Sequence, residues 1–536
     1  MSTAQLPWHS ILFPLLMVSA EPVTARHPRP PGNVERPGVL SNESRDSSAP
    51  VNVAPKTRNE GRRNDARLPR TRGADGRGVA DLKADRPRVL SEPFQHPRQL
   101  LHMLDIGPSD LDSFVDGQPI TAADEEAFLK VLFRMPQIGW DDIDRWLRRP
   151  VPWRALAEGP ASERGEFFQL QGRVRRATPT SVRERPASLF GFQQYFEVSM
   201  DVSQDVDVTV FIRGIPQAWQ GEDELDQRCR VAGMFLKLGE LVNGKTHFLF
   251  AARRIAWLPD QTDSELGVGP DHVLLGNLGM DVGLFDAVRS RNGLPIDASE
   301  RECFYALLRA AGRAAPTEMA RHASLIPVET LLQDPERLHG TLLRVTGSVQ
   351  RITRIVVDEP DIQQRYGIDA YYQLDVLVPL GELEVRLHGE EHGAPGPVYR
   401  DNFPCTCCTL SIPAEWEPFV GQEQARVEAI LDGFFYKLWS YSNPYVASFG
   451  QKQRQLSPML ILRSPRPLQA ERHSASSPVN VAVGIGFLVA LVLIWVIIWL
   501  LNRADRKHAS PILQTRFSSR AERERPNFQD LDGLND

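Results

Sequence analysis

The stretches RVAGMFLKLGEL (230–241) and AILDGFFYKLWSY (429–441) carry the same pattern, Gly-x-Phe-x-Lys-Leu. The pattern places Gly233, Phe235 and Lys237 in the first copy, and it recurs at 433, 435 and 437 in the second. This offset is far longer than the period of a solenoid repeat, which is about 20–50 residues. The two stretches therefore predict a duplicated module.

Five further pairs of segments surround these stretches in the same order. They are QPITAADEEAFLKVLFRMPQI (118–138) with LPIDASERECFYALLRAAGRA (294–314), FFQLQGRVRRATP (167–179) with LLRVTGSVQRITR (342–354), QYFEVSMDV (194–202) with AYYQLDVLV (370–378), GIPQAWQG (214–221) with SIPAEWEP (411–418), and FAARRIAWLP (250–259) with PMLILRSPRP (458–467). In the first pair Thr121 and Asp297 suit helix N-caps, and Asp124 and Glu300 are acids that can bond back to the cap. The same helix start is therefore predicted twice.

The second half of each module is a series of short alternating stretches divided by Gly, Pro and Asn turns. QLQGRVRRA (169–177) and RVTGSVQRI (344–352) are predicted strands whose central glycine permits a bend or bulge. About five such strands, at 166–258 and 338–465, resemble the OB-fold, a five-stranded Greek-key barrel. The resemblance implies binding of oligonucleotides, oligosaccharides or protein partners. A two-sheet sandwich is the alternative with similar strand spacing.

We therefore predict an α+β chain with two tandem modules, each a helical segment followed by a small OB-like β-barrel. The predicted boundaries are a signal peptide at 1–20, a disordered basic linker at 21–93, a first module at 94–259 (helices 98–150, barrel 166–258), a linker at 260–275, a second module at 276–465 (helices 276–335, barrel 338–465), a juxtamembrane linker at 466–480, a transmembrane helix at 481–501 and a cytoplasmic tail at 502–536.

The predicted transmembrane helix is VAVGIGFLVALVLIWVIIWLL (481–501), which contains no charge and no amide. A buried core helix is the alternative, but such helices rarely lack polar residues on every face. Its small residues Ala482, Gly486 and Ala490 share one face, which favours a homodimer, or else reflect ordinary tolerance of small residues in lipid.

Flanking charge predicts the orientation of this helix. Five basic residues follow the run within 20 positions and three precede it over a similar distance, which favours a cytoplasmic C-terminus. ILFPLLMVSA (11–20) suits a cleaved signal segment, although no Lys or Arg precedes it. We expect a single-pass cell-membrane protein with its bulk outside the cytoplasm, where nucleic acid is not an expected partner.

Residues 21–93 contain no Phe, Trp or Tyr, so this segment is predicted to be disordered. Its basic part, 56–88, is interpreted as a solvated linker, with weak attachment to an anionic polymer or to lipid headgroups as the alternative.

The repeated Ile-Pro-x-x-Trp and Gly-x-Phe-x-Lys-Leu elements define a candidate ligand face, formed by Trp219, Lys237, Trp416, Lys437, Trp439 and Tyr441. On one interpretation the tryptophans stack on a ligand and the lysines meet an anion. On the other, the tryptophans plug the barrel and the lysines lie on the surface. If exposed aromatic residues bind a ligand, the second module, which has more of them, is the stronger candidate.

Three of the five cysteines, Cys405, Cys407 and Cys408, are low-probability metal ligands, because no second cluster and no nearby histidine accompany them. A disulfide is the second interpretation and simple packing is the third. One alignment puts the trio in an insertion of about 20 residues. Another places it over Val208, Val210 and Phe211 of the first module.

No phosphate-binding loop, nucleophile elbow, HExxH or dinucleotide fingerprint occurs, so we predict a protein that is not an enzyme and has no cofactor. The glycines of LGVGPDHVLLGNLG (266–279) are interpreted as linker residues. The predicted function is a ligand-binding or scaffolding region with a protein or polysaccharide partner. The alternatives are a cytoplasm-facing, membrane-anchored protein that binds nucleic acid or protein, and a thiol or metal protein built on the cysteine trio.

Overall fold

The computed structural model describes residues 51–55, 94–242, 244–387, 396–422, 424–448, 454–468 and 478–505, with the backbone alone at 51–55 and at several positions of the last range. All of these residues belong to one compact unit, Ser48–Asp536. The predicted signal peptide, most of the predicted basic linker and most of the predicted tail lie outside the described residues. The predicted location of the chain stays a prediction.

The first module consists of short helices followed by five long strands and one inserted helix. The strand β1 (Val51–Pro55) precedes this module. In chain order the module's elements are α1 (Pro97–Met103), α2 (Pro108–Asp112), α3 (Glu125–Arg134), α4 (Trp140–Trp146), α5 (Trp153–Glu158), α6 (Pro160–Glu163), β2 (Phe167–Ser181), α7 (Glu184–Phe190), β3 (Gln194–Ser203), β4 (Val206–Ile212), β5 (Gln227–Leu238) and β6 (Thr246–Trp257).

The second module repeats this order with additions. Its elements are α8 (Pro270–Asn277), α9 (Phe285–Arg289), α10 (Arg301–Arg313), α11 (Pro316–His322), β7 (Ser324–Leu325), α12 (Val328–Gln333), β8 (Leu342–Val356), α13 (Pro360–Tyr366), β9 (Ala370–Pro379), β10 (Leu383–Leu387), β11 (Val398–Tyr399), β12 (Asn402–Thr409), β13 (Val427–Tyr441), α14 (Pro444–Ala447), β14 (Gln455–Leu462) and β15 (Arg466–Pro467), and α15 (Pro478–Asp505) follows them.

The first barrel closes in the order β2, β3, β4, β6, β5. Its strands are antiparallel to their neighbours except for β4 and β6, which are parallel. Alternate residues of each strand point inward, and side chains such as Val198, Val210 and Phe250 fill the interior. The barrel is OB-fold-like, as the sequence resemblance implied.

The second barrel has the same strand order. Strands β8, β9, β12, β14 and β13 are neighbours in that sequence, and β13 also pairs with β8, which closes the ring. The parallel pair is β12 with β14, the counterpart of β4 with β6. The strand count, order and direction are therefore common to the two barrels.

Each barrel opens with a strand that bends at the predicted glycine. A Cβ on Gly172 would lie 2.1 Å from the carbonyl oxygen of Asp201, and one on Gly347 would lie 2.6 Å from that of Leu377. Only glycine permits so close an approach of two backbones. A register shift follows each glycine, at 174/176 and 349/351, so the predicted bend or bulge is confirmed.

The structure decides between the two alignments of the cysteines. The insertion in the second module is the pair β10 and β11, which forms a separate three-stranded sheet with β1. The cysteines lie in the barrel strand β12, where Cys407 pairs with Leu374 as Val210 pairs with Val198. The alignment over Val208, Val210 and Phe211 is confirmed, and the alignment that places the trio in an insertion is wrong.

Two linker predictions also need correction. Val51–Pro55 lies within the predicted disordered segment, yet its backbone pairs with all five residues of β10. The predicted linker 260–275 contains the start of α8, whose Leu275 is fully buried, because Gly269 and Pro270 begin a helix instead of ending one.

The predicted transmembrane segment forms the helix α15, and its described apolar side chains from Phe487 to Leu500 are mostly exposed. Across the ranges that the structure describes, no helix combines the length and the apolarity needed to cross a membrane. The prediction of a transmembrane helix at 481–501 is not confirmed. Gly486 and Ala490 are exposed, and the predicted homodimer contact stays a prediction.

Candidate functional site

The two tryptophans of the Ile-Pro-x-x-Trp elements are core residues. Trp219 is 0% exposed and Trp416 is 1% exposed. Trp219 ends a short 3₁₀ turn beneath its barrel, and Trp416 lies within the corresponding turn of the second barrel. Trp219 packs edge-on against Trp257, with ring centroids 5.6 Å apart. The stacking-platform interpretation is therefore wrong for both residues, and the interpretation that they plug the barrel is correct.

The two lysines of the Gly-x-Phe-x-Lys-Leu elements are also buried, at 0% exposure. The Nζ of Lys237 lies 2.8 Å from Oδ2 of Asp124, and that of Lys437 lies 2.6 Å from Oε1 of Glu300. Lys237 lies on β5 and Lys437 on β13, the fourth strand of each barrel in chain order. Each pair joins that strand to the capped start of the helix that packs on it. Both sequence interpretations placed the lysines at the surface, so both are wrong on this point.

The same acids form the predicted helix caps. Asp124 accepts hydrogen bonds from the backbone N–H of Thr121, at 2.9 Å, and of Val115, at 3.3 Å. Glu300 accepts one from the backbone N–H of Asp297, at 2.9 Å. Each carboxylate therefore satisfies a helix start and a buried ammonium group together, which assigns these residues to the fold and not to a ligand.

The remaining members of the predicted ligand face close the second barrel. Trp439 is buried and stacks on Tyr441 with ring centroids 4.8 Å apart. Its indole Nε1–H donates to Oγ1 of Thr406 on β12, at 3.2 Å. Trp439 therefore covers the outer surface of this barrel and does not present an exposed ring to a ligand.

The corresponding surface of the first barrel is open. Gly239 occupies the position of Trp439, directly after the shared Lys-Leu, and the ring of His247 lies against it, where a Cβ would be 2.7 Å from Nδ1. This surface contains a cleft of about 450 Å³. Its polar lining residues are Thr121, Glu125, Ser181, Arg183, Tyr195, Glu197, Thr209, Glu240 and His247, and its larger apolar ones are Pro119, Ile120, Phe128, Leu129, Val182, Phe211, Val242 and Leu249. This volume is within the range of small-ligand sites, about 300–1,000 Å³.

Glu197 and Tyr195 lie on β3, two residues apart, and so project from the same face of the barrel. The Glu197 carboxylate accepts from Oγ1 of Thr180, at 3.0 Å, and from the Tyr195 hydroxyl, at 3.5 Å. Burial and the charge of Glu197 raise the pKa of Tyr195 to about 12. Tyr195 therefore keeps its proton, and the cleft presents a carboxyl group beside a phenol.

His247 on β6 and Thr209 on β4 form the opposite part of the floor. The ring Nε2 of His247 lies 2.9 Å from Oγ1 of Thr209. Burial lowers the pKa of His247 below its ordinary value, and Asp207 offsets this only in part. The imidazole is thus uncharged near neutral pH, and it adds hydrogen-bonding capacity without positive charge.

The rim is more acidic than basic. Glu125 at the start of α3 forms an ion pair with Arg183, which precedes α7. Glu240 and the apolar residues Leu241 and Val242 are exposed on the loop between β5 and β6. Because Arg183 is already paired, Glu197 and Glu240 leave the cleft with a net negative charge.

The cysteines do not form a site within the described residues. All five are free and buried, and no group of His, Cys, Asp and Glu suited to a metal ion is found there. Burial raises the pKa of Cys408, so its thiol stays protonated. The Sγ of Cys405 lies 3.3 Å from the carbonyl oxygen of Pro458. The packing interpretation is correct for the trio.

The sequence analysis missed the residues of the open cleft. Tyr195, Glu197 and Thr209 occupy alternate positions of two predicted strands, so strand periodicity marked them as outward-facing. The sequence did contain one signal for an open face on the first barrel. Directly after the shared Lys-Leu, this barrel has Gly239 where the second has Trp439.

Comparison with known proteins identifies no family. No family model matches the chain, and no curated protein matches it. Solved structures similar to it include the single-stranded DNA binding protein from Thermus aquaticus (10% identity, 58% of this chain and 97% of that chain, TM-score 0.13). Others are a putative aspartyl-tRNA synthetase from Leishmania major Friedlin (10% identity, 43% and 47%, TM-score 0.14) and a replication protein A heterotrimer bound to ssDNA (8% identity, 61% and 69%, TM-score 0.14). These scores are too low to carry an argument about ligands, and the assignment of the fold rests on the strand order.

Proposed function

We propose that this chain is a non-catalytic binding protein whose first barrel takes a short segment of another polypeptide, with basic and apolar side chains, into the cleft between α3, β3, β4 and β6. The observation that carries the proposal is the contrast at one position, where Gly239 and His247 border an open cleft and Trp439 covers the counterpart in the second barrel. We also infer that the two modules arose by duplication, with binding kept by one copy.

The composition of the cleft supports a polypeptide over a nucleic acid. Single-stranded nucleic acids need cationic grooves and exposed aromatic faces. Here Phe128 and Phe211 are buried, Arg183 is paired, and Glu197 and Glu240 are the uncompensated charges. A carboxylate pair above an apolar floor instead suits a lysine or arginine flanked by an apolar side chain. Because the barrel is closed, it has no free strand edge to which a peptide could add as a further strand. The peptide must therefore be recognised by the side chains of the cleft.

The test uses the full-length chain and a fluorescent heptapeptide of alternating lysine and leucine. One matched probe is the same peptide with glutamate in place of lysine. The other is a single-stranded oligothymidine. We expect the lysine peptide to bind and the glutamate peptide not to bind, and any binding of the oligothymidine should be the same in the parent and in Glu197→Gln. Glu197→Gln should weaken it about tenfold, as expected for a lost charge-assisted hydrogen bond. Glu158→Gln, on an exposed side chain remote from the cleft lining, is the matched control and should leave the affinity unchanged.

The variant Gly239→Trp/His247→Ser gives the first barrel the residue pair found at 439 and 457. A Cβ on Gly239 would lie 2.7 Å from Nδ1 of His247, so the histidine must be replaced for the indole to fit. We expect a folded protein that no longer binds the lysine peptide. Tighter binding of the glutamate peptide than of the lysine peptide, or unchanged lysine-peptide binding in this variant, contradicts the proposed function.

A further inference from the structure

We propose that a cluster of arginines around Trp140, where the two modules meet, is a binding site for a phosphate group. The cluster comprises Arg149, Arg230, Arg253, Arg254, Arg309 and Arg365 together with Asp144, Asp281 and Glu302. Trp140 begins α4 of the first module, and the arginines come from both modules: Arg230, Arg253 and Arg254 from β5 and β6, and Arg309 and Arg365 from α10 and α13.

Trp140 holds three guanidinium groups close together. The Cζ atoms of Arg253, Arg254 and Arg365 lie 4.9, 5.5 and 5.2 Å from its ring centre. These distances are within the range of a cation–π contact. A guanidinium held by an aromatic ring retains N–H donors in its own plane, where they match the oxygens of a phosphate.

The carboxylates of the cluster neutralise only some of its cations. Arg365 pairs with Glu302, at 2.7 Å, and with Asp144, at 3.4 Å. Arg254 pairs with Asp281 at 3.0 Å. All three carboxylates thus pair with Arg254 or Arg365, and Glu302 also lies 3.5 Å from Arg301.

The other arginines have no ionic partner in the described part of the chain. Arg230, Arg253 and Arg309 each donate one hydrogen bond to a backbone carbonyl and form no ion pair there. A guanidinium has five N–H donors, so most of their donors stay available. All three are only partly exposed, and burial lowers their pKa values; Asp281 offsets this in part for Arg230 and Glu302 for Arg253, while neighbouring arginines add to it. An oxyanion would relieve this repulsion.

The test measures the full-length chain at constant ionic strength, with chloride replaced by inorganic phosphate, by pyrophosphate or by a single-stranded oligothymidine. Isothermal titration calorimetry and the thermal midpoint are the readouts. We expect at least one phosphate probe to bind with a Kd below about 1 mM and to raise the midpoint. Tighter binding of pyrophosphate identifies a free phosphate group as the ligand, and tighter, strongly salt-dependent binding of the oligothymidine identifies a phosphodiester backbone.

Arg230→Gln, Arg253→Gln and Arg309→Gln remove charge without leaving a carboxylate unpaired. Each should weaken the bound probe about tenfold and leave the midpoint without probe equal to or above that of the parent, because repulsion is reduced. The control is Arg154→Gln, a substitution of an exposed arginine of α5, which should change neither the affinity for the probe nor the thermal midpoint. Absence of binding by all probes, or a lowered midpoint with unchanged binding in the three variants, overturns the proposal.

Discussion

The two barrels share a framework and differ in one face. Both have the same strand order, the same parallel pair and the same buried lysine tied to a helix-capping acid. In the first, Gly239 and His247 border an open cleft, whereas in the second Trp439 covers Thr406 and Ser457 is buried. The comparison shows that the repeated residues hold the fold and that an unshared residue beside them controls access.

The largest expected effect comes from the buried lysines. Removal of one partner leaves an unpaired buried charge, which costs about 3–5 kcal/mol of unfolding free energy. Lys237→Met should cost about 5 kcal/mol and Lys437→Met about 4, because Arg291 lies 3.5 Å from Glu300 and partly replaces the lost ammonium group. Denaturant unfolding measures both.

Lys237→Met/Asp124→Asn is the control for this pair of variants. The amide keeps an oxygen to accept from Thr121 and removes the unpaired charge, so at least half of the lost free energy should return. If the two single variants cost under about 1 kcal/mol, or if the double variant is no more stable than Lys237→Met, the shared framework does not depend on these pairs.

Opening the second barrel is the next largest effect. Trp439→Gly removes a buried indole, its stack on Tyr441 and its hydrogen bond to Thr406, which should cost about 3 kcal/mol of unfolding free energy. Trp439→Phe keeps most of the apolar volume and is the matched control, with a smaller cost. If the glycine variant is as stable as the parent, the closed face is not filled by this side chain, and the contrast between the barrels is lost.

The capping acids should respond to pH in opposite directions. Burial alone would raise the pKa of Asp124, but hydrogen bonds from Lys237 and Thr121 lower it below its ordinary value. Burial raises the pKa of Glu300, and Lys437 offsets this only in part. Asp124 therefore contributes stability above pH ~3.9 that is lost as pH falls through its folded pKa. Glu300 contributes less stability as pH rises above ~4.3.

Unfolding free energy measured against pH separates these contributions. Each group changes the free energy by at most about 1.4 kcal/mol per pH unit. Asp124→Asn should flatten the decline below pH ~4, and Glu300→Gln should flatten the decline above pH ~4.3. If the unfolding free energy of Glu300→Gln instead no longer falls below pH ~4, the assignment of the two acids is reversed.

The fold was more predictable from the sequence than the cleft was. Alternating apolar residues and the repeated Gly-x-Phe-x-Lys-Leu stretches predicted the strands, because inward positions of a small barrel must be apolar in both copies. They did not predict that Lys237 is buried, since its partner Asp124 is 113 residues away. The open face was missed because counting aromatics favoured the second module, where Trp439 fills space and does not offer a surface.

The smallest effect is expected for Cys405 and Cys407, which stand where the first barrel has valines. Cys405→Val/Cys407→Val places in β12 the residues found at 208 and 210, and a change of this size costs under about 1.5 kcal/mol. The full-length variant should keep its thermal midpoint within a few degrees and show the same zinc and copper content as the parent. Cys407→Asp, which buries a charge at the same position, should be strongly destabilised and shows that the site is sensitive. A loss of bound metal in the valine variant would restore a chemical role for the trio, and an unchanged protein leaves β12 as an ordinary barrel strand.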